Sequence, residues 1–373
     1  MKQLRGFTLI EFMIAMTLSL LVLAALTGAF VSSSKSRAEI EKNNEQIENG
    51  RFALQILTDD VEMAGFLSHL DIDLALGADT ALPVPAAKPD PCMEAGDAAM
   101  IAALVTALPL HIQGYDSPAA LPAELDCLAD VKPNTDIILV RRTATCVSGA
   151  ANCPTVAGAP LLQASLCADE LDSLDYKEYF DLDTVDANLT RRPRSCVAGA
   201  DAEKRQYLVH IYFIANNDVA GDGVPTLKRA ELGNDQDPTG FTIVPLARGI
   251  EDLQIDYGVD HTGNGGVRDG LPDTFTADPD SFDANGNGAV NNAELVQNWR
   301  DVMSLRLNLL ARNTSTTKDH VDTKVYVLGA NADGSDRCAK TVGAVCGAFN
   351  DGYKRHVYQT SVRLNNPAGR RES

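Results

Sequence analysis

The chain has 373 residues, enough for one large core or two modest ones, and its 45% hydrophobic content fits a folded protein and excludes a disordered one. A formal net charge of −19 repels nucleic-acid phosphates and anionic lipid headgroups. Direct DNA binding is therefore disfavoured, and any membrane contact has to be hydrophobic.

The first six residues carry two positive charges, Lys2 and Arg5. From Phe7 to Phe30 the chain is apolar with a single charge, Glu11. As a helix this run spans about 36 Å, enough to cross a bilayer. The positive residues keep its start on the cytoplasmic side and leave the bulk of the chain outside. A carboxylate inside lipid costs at least about 2.5 kcal/mol, so Glu11 reads as a functional residue. It also sits badly in an ordinary secretory signal, although Ala24-Ala25 could mimic a cleavage site.

Gly6-Phe7-Thr8-Leu9-Ile10-Glu11 resembles the class III signal of type IV prepilins. The resemblance implies that a prepilin peptidase cuts between Gly6 and Phe7 and that Phe7 is then N-methylated. It also implies that Glu11 neutralises the new terminal amine, in its own or a neighbouring subunit, during assembly. An ammonium and a carboxylate are each costly in lipid, and a pair of them is far less so. Cleavage removes two positive charges and takes the formal charge from −19 to −21. Many major pilins carry a proline partway along this segment. Here Gly28 stands at the matching position, where glycine weakens a helix by about 1 kcal/mol relative to alanine.

After Phe30 the sequence turns polar but stays compatible with a helix to about Phe66. Ile40, Ile47, Leu54 and Val61 recur every seven residues, predicting an amphipathic continuation of the first helix. Its second half, richer in apolar groups from Phe52 onward, is expected to dock on a core, leaving the first half as a solvated or subunit-facing spine. The stretch 49–66 is similar to the end of the spine helix in PilW-type minor pilins. Gly249 to Asp260 resembles the strand-and-turn signature of the same family. The resemblance covers residues 6–30, 49–66 and 249–260 and leaves 67–200 unmatched.

Residues 75–123 are rich in Ala and Pro and read as loop. The acidic segment Cys167–Asp186 reads as solvated surface. Strands are expected at Ile137–Arg142, Tyr207–Ile214, Phe241–Ala247, Ile250–Tyr257, Val302–Leu310, Lys324–Leu328 and Val357–Leu364. The expected organisation is a leader (1–6), a transmembrane and assembly helix (7–30), an amphipathic spine (31–66), a variable loop-rich insertion (67–205) and a β-sheet head (206–373). The fold class is α+β, one long helix packed on an antiparallel sheet.

Eight cysteines all lie beyond residue 90 and include no CxxC pair, which argues against a zinc ribbon or a thioredoxin-like site. Disulfides in an oxidising compartment are the favoured reading; buried free thiols are the alternative. Cys146–Cys153 and Cys338–Cys346 would close short loops, each stabilising by roughly 2–3 kcal/mol. Cys92–Cys127 and Cys167–Cys196 follow from proximity alone.

Asp283 to Glu294 fits the twelve-residue calcium-loop pattern D-x-[DN]-x-[DN]-G-x5-E at each specified position. Asp283, Asn285 and Asn287 would offer side-chain oxygens, Ala289 a backbone carbonyl and Glu294 both carboxylate oxygens. Gly288 would allow the sharp turn, Val290 would tuck the loop into the core, and a short helix would follow from Glu294 to about Trp299. The residues before the loop, including Pro279, do not read as an entering helix, and the other reading is an Asn/Gly turn that binds nothing. Asp260 to Gly265 begins similarly but lacks the final glutamate. Asn217 to Gly223 reads as a hairpin turn. The six histidines, His69, His111, His210, His261, His320 and His356, are scattered, and there is no HExxH, G-x-S-x-G or P-loop. No catalytic constellation emerges.

The resemblance implies a non-enzymatic minor pilin that takes part in priming pilus assembly and in a tip complex. Its implied partners are other minor pilins, the major pilin, prepilin peptidase, the inner-membrane assembly platform and a pilus-tip adhesin. Its implied location is the inner membrane with the head in the periplasm, and the pilus after assembly. Two alternatives stand: a pseudopilin of a type II secretion system, which uses the same N-terminal logic, and a pilus-displayed adhesin or DNA-uptake receptor.

Overall fold

The computed structural model describes residues 8–93, 98–234, 236–237, 240–262, 268–331, 333–342 and 345–372. A single helix, α1 (Leu9–Glu62), runs 54 residues without a break, about 80 Å, and passes straight through Gly28. Its window of highest hydropathy is wholly uncovered by the rest of the chain and is long and apolar enough to cross a membrane. The helix ends four residues earlier than the pattern suggested, capped at Met63.

The docked face of α1 differs from the predicted one. Its buried residues are Gln46, Gly50, Ala53, Leu57, Asp60 and Val61, spaced by three and four as one helical stripe. Ile40 and Ile47 are exposed instead. Docking also begins earlier than Phe52, through polar contacts. Gln46 Nε2 donates to the carbonyls of Ala311 and Lys354 at 2.7 and 3.0 Å, and Thr317 donates to Glu39 at 2.7 Å. An isolated heptad row marked the apolar residues of the helix but not which of them the head covers.

The head is built from two antiparallel sheets. The first holds seven strands: β1 (Ile112–Tyr115), β2 (Ile137–Thr143), β3 (Leu161–Ala164), β4 (Phe180–Asp183), β5 (Lys204–Ala215), β6 (Thr226–Leu232) and β7 (Phe241–Arg248). β5 is central and pairs with β2, β3 and β6. The loop of residues 217–223 joins β5 to β6 as a hairpin, as its turn residues suggested. The second sheet runs in the order β15-β10-β8-β9. Its strands are β8 (Ile250–Val259), β9 (Thr274–Thr276), β10 (Val302–Arg312) and β15 (Arg355–Arg363). Two small hairpins precede β15: β11 (Val327–Ala330) with β12 (Asp336–Cys338), and β13 (Thr341–Val342) with β14 (Val345–Cys346). The strand expected at Lys324 therefore starts three residues later, because residues 320–326 are extended but have no ladder partner.

The first sheet is a middle layer. Tyr212 and Ile214 of β5 join Leu57, Val61, Leu253, Ile255 and Leu307 in one core, between α1 and the second sheet. Val209, Ile211 and Phe213 face the opposite way into a second core. Burial on both faces is why Tyr207–Ile214 of β5 reads as a mostly apolar run, interrupted by His210.

The second core corrects the prediction for residues 67–205. This segment is not a loop-rich insertion: it supplies four strands of the first sheet and the helices α2 (Ile72–Gly77), α3 (Ala98–Ala107) and α4 (Ala168–Leu171). Leu82, Met100, Leu104 and Leu108 cover the rear of the sheet. Alanine is the best helix former, so the proline-free run of α3 folds where composition alone suggested a loop. The division at residue 206 falls inside the structure, since β5 pairs with strands from before it. The acidic segment is also partly interior, with Tyr179, Phe180, Leu182 and Glu170 buried. Glu170 is neutralised by Arg192 at 2.7 Å.

Four disulfides join Cys92–Cys127, Cys146–Cys153, Cys167–Cys196 and Cys338–Cys346. The helix after the acidic loop, α5 (Asn292–Arg300), starts two residues before Glu294, and a last helix, α6 (Asn365–Arg371), closes the described chain.

Candidate functional sites: anchor helix, helix-head junction and acidic loop

Gly6 and Phe7, the proposed cleavage pair, lie outside the described residues. The residues that follow form a capping box. Thr8 Oγ1 accepts from the Glu11 backbone N–H at 3.4 Å, while the Thr8 N–H and hydroxyl donate to Glu11 Oε2 at 2.9 and 2.8 Å. The carboxylate is thus drawn back toward the N-terminal end of α1. The T-x-x-E spacing was available in the sequence as a capping signal. Leu9, Ile10, Phe12, Met13, Leu20, Leu21 and Phe30 are each more than half exposed. This surface requires lipid or other chains to cover it.

At the other end of α1, Asp60 is 4% exposed and ties the helix to the first sheet. Its Oδ1 lies 2.6 Å from Arg142 Nε. Its Oδ2 lies 2.7 Å from His210 Nδ1 and accepts from the Tyr212 hydroxyl at 2.7 Å. Burial opposes ionisation of Asp60, but His210, Arg142 and Tyr212 together outweigh it and hold the carboxyl well below its usual range. Gly50 sits where α1 crosses β15. A methyl group there would fall inside the ring of Tyr358, so glycine sets how closely helix and sheet approach.

The acidic residues of the β8 signature each meet a cation or an amide, although Asp260 Oδ1 is buried without a partner. Glu251 Oε2 lies 2.5 Å from Arg355 Nε. Asp252 accepts from Gln254 Nε2 at 3.0 Å. Asp256 lies 2.6 Å from Arg337 Nη2 and Asp260 lies 2.9 Å from Arg371 Nη1. Glu251, Asp252, Asp256 and Asp260, set among apolar residues, were the sequence signal. The arginines that answer them, 81 to 111 positions away, carried none.

The loop from Asp283 to Glu294 closes on itself. Asp283 accepts from the N–H groups of Gly288 at 2.7 Å, Gly286 at 2.8 Å and Asn287 at 3.2 Å. These bonds, that of Gly288 first, hold its carboxyl below the usual range. Gly288 has φ +85°, a conformation that favours glycine at this sharp turn. Asn285 and Asn287 turn their Oδ1 atoms inward to accept from the N–H groups of Asn287 and Ala289 at 3.0 and 2.9 Å. Glu294 folds back across the loop and accepts from Asn285 Nδ2 at 2.8 Å, while its other oxygen is buried without a partner. Val290 is half-buried.

The donor set is therefore all oxygen, with one carboxylate at each end and a free buried carboxylate oxygen, which fits a hard cation such as calcium. The loop is anchored from below. Asn298 Nδ2 donates to the carbonyls of Pro279 and Phe282 at 2.9 and 2.7 Å. Trp299 Nε1 donates to Asp280 at 2.6 Å, and Asp280 also pairs with Lys88. The similar turn at Asp260 runs into residues 263–267, which lie outside the described residues. Asp260 itself is committed to Arg371 and to the Gly270 N–H. Cys167, Asp169 and Cys196 also lie close together, but the two sulfurs are bonded to each other.

Comparison with known proteins places these features. Residues 1–27 match the prokaryotic N-terminal methylation motif, and residues 211–366 match the family described as type IV pilus-assembly protein W. Among solved structures, a type IV-like pilin from Thermus thermophilus is 19% identical, covering 46% of this chain and 74% of its own, with a TM-score of 0.22. No curated protein matches the chain. An N-terminal methylation motif leading into an apolar anchor helix, with an antiparallel head behind it, makes the chain similar to type IV minor pilins. Within that class the similarity is to the PilW type, over residues 211–366. Proteins of this family are structural subunits that a prepilin peptidase processes. The helix and the motif fit membrane anchoring and pilus assembly.

Proposed function

We propose that this protein takes part in priming the assembly of a type IV pilus, as a member of a minor-pilin complex at the filament tip. The observation that carries this reading is the bare apolar half of α1 beginning at the Thr8–Glu11 capping box. Before assembly the helix is held in the inner membrane with the head in the periplasm, and afterwards neighbouring pilins replace lipid around it. The pairing of Glu11 with the amine of Phe7 removes two isolated charges from an apolar medium and fixes the axial register of the subunit. A head with two cores is bulky beside its helix, which suits a terminal position, where neighbours crowd it from one side only. The implied partners are other minor pilins, the major pilin, the prepilin peptidase, the assembly platform and a tip adhesin.

Calcium belongs to the same proposal. Asp283, Asn285, Asn287, the Ala289 carbonyl and Glu294 would hold it, with an affinity of about 10⁻⁴–10⁻³ M expected for a loop with two carboxylates. The ion would fix the loop against α5.

The test is Glu11→Val in producing cells. The variant should insert and be cleaved but enter filaments poorly. Cells lacking the protein should bear few pili, and labelled protein should appear at filament ends. Normal incorporation of the variant contradicts the role given to Glu11. Lost protein secretion with unchanged piliation would favour the type II secretion reading.

A further inference from the structure

A cleft of about 450 Å³ lies on the seam between the spine helix and the head. One wall is α1, through Gln46 and Arg51. The other is the extended segment 320–326, whose even-numbered residues, including His320 and Lys324, turn inward. His356 and Tyr358 of β15 form the floor. In a chain of net charge −19 this cleft is locally cationic. Arg355 at its base is already saturated by Glu251, Asp322 and Asp351, and Lys354 pairs with Glu39 at 3.4 Å. Arg51 and Lys324 are exposed, and among the described residues neither has a carboxylate within ion-pair distance. The Tyr358 hydroxyl and His320 Nε2 are buried in the same place without a hydrogen-bond partner. Two free cations and two unused polar atoms therefore converge on one cleft.

We infer that this cleft docks the acidic edge of the spine helix of a second copy of this chain. The inference rests on the assembly reading above and names the contact that reading requires. Three observations select this occupant. One wall of the cleft is the same helix whose bare apolar continuation has to be packed by neighbours, so a neighbour's helix runs alongside it. The free groups are cations, so the ligand carries carboxylates. The chain itself displays the matching element: Glu41, Glu45 and Glu48, at i, i+4 and i+7 on α1, line a shallow groove with Ile40 and Arg37, and among the described residues none of the three has a cation within ion-pair distance. At 100° per residue Glu41 and Glu45 lie on the far side of α1 from Gln46, while Glu48 adjoins Arg51 at i+3, so the acidic edge begins where the cleft wall ends. Contacts of this kind are heterologous, the type that propagates along a helical assembly. Acidic heads repel one another, so a cationic cleft beside the helix selects the register in which they can approach.

Carbodiimide cross-linking tests this directly, because it joins a lysine amine to a carboxylate in contact with it. The mature chain is cross-linked within isolated pili or pilin complexes and the linked peptides are mapped by mass spectrometry. The expected product joins Lys324 to Glu41, Glu45 or Glu48 of a second copy, told apart from links within one chain by mixing isotope-labelled and unlabelled copies; a link from Lys324 to a different pilin instead overturns the choice of occupant. Arg51→Glu with Lys324→Glu should reduce recovery of the chain in the complex at least tenfold at an unchanged melting temperature. Raising salt should weaken the native association in parallel. Lysines elsewhere linking to pilins while Lys324 links only within its own chain overturns the inference and leaves the assembly reading standing. Undiminished recovery of the double variant does the same. Absence of any pilin adduct on the chain sinks both.

Discussion

Asp60 Oδ2, in the last turn of the spine helix, lies 2.7 Å from His210 Nδ1 on the central strand of the head. With Arg142 and Tyr212 completing the cluster, this contact locks an 80 Å-scale lever onto the sheet that faces it. Asp60→Ala leaves the buried His210 and the half-buried Arg142 without their carboxylate. The expected cost is about 3–5 kcal/mol, read from denaturant unfolding of the full chain in detergent. A loss below about 1 kcal/mol would mean that apolar packing alone holds the helix.

Gly50 and Tyr358 form a second fixed contact between helix and head. Gly50→Ala pushes the tyrosine ring out of its place and should destabilise by about 1–3 kcal/mol. In a Tyr358→Ala background the same change should cost little, because the methyl then has room. A double-mutant cycle measures the difference, and additive costs would contradict the contact.

Trp299 is the only tryptophan in the chain, and it is bonded to the segment that leads into the acidic loop. Its fluorescence should therefore respond to calcium added in the millimolar range. At ten times the dissociation constant the ion should stabilise the protein by about 1.4 kcal/mol. Asp283→Asn and Glu294→Gln should each weaken the response at least tenfold. An unchanged melting temperature and spectrum at ten millimolar calcium would reduce the loop to a turn.

His111 is buried and hydrogen-bonded through Nε2 to the Val302 carbonyl at 2.8 Å. Burial pushes its pKa down to about 3 from an ordinary 6.5, with nearby arginines adding to the effect. The folded protein thus binds fewer protons here than the unfolded chain between these values. The stability His111 contributes is complete above about pH 6.5 and falls as pH drops toward 3, by up to about 1.4 kcal/mol per pH unit. His111→Leu should flatten that part of the stability–pH curve relative to the native chain. Parallel curves would show that His111 is not buried neutral.

The sequence alone determined the parts of this protein whose physics is local. An apolar run of membrane length, a lone carboxylate at Glu11 and a period-two pattern in β8 and β10 each depend on residues near one another, so they are legible without a fold. The twelve-residue loop belongs to the same group, because its oxygens bond to backbone groups a few positions away. Cysteines paired with near neighbours do too.

Tertiary structure decided what depends on partners far along the chain. Ile40 and Ile47 look as apolar as Leu57, yet only Leu57 is covered, because burial is set by where the sheet lies. The Ala-rich stretch before β1 became the rear wall of a core only because β5 has two buried faces and needs one. Arg337 and Arg355 gave no sign of answering Asp256 and Glu251 across more than 80 positions, and the cationic cleft exists only where the segment 320–326 passes beside the spine. Patterns of period two and 3.6 fix which residues share a face. Which face is covered, and by which distant charge it is answered, is a property of the assembled layers.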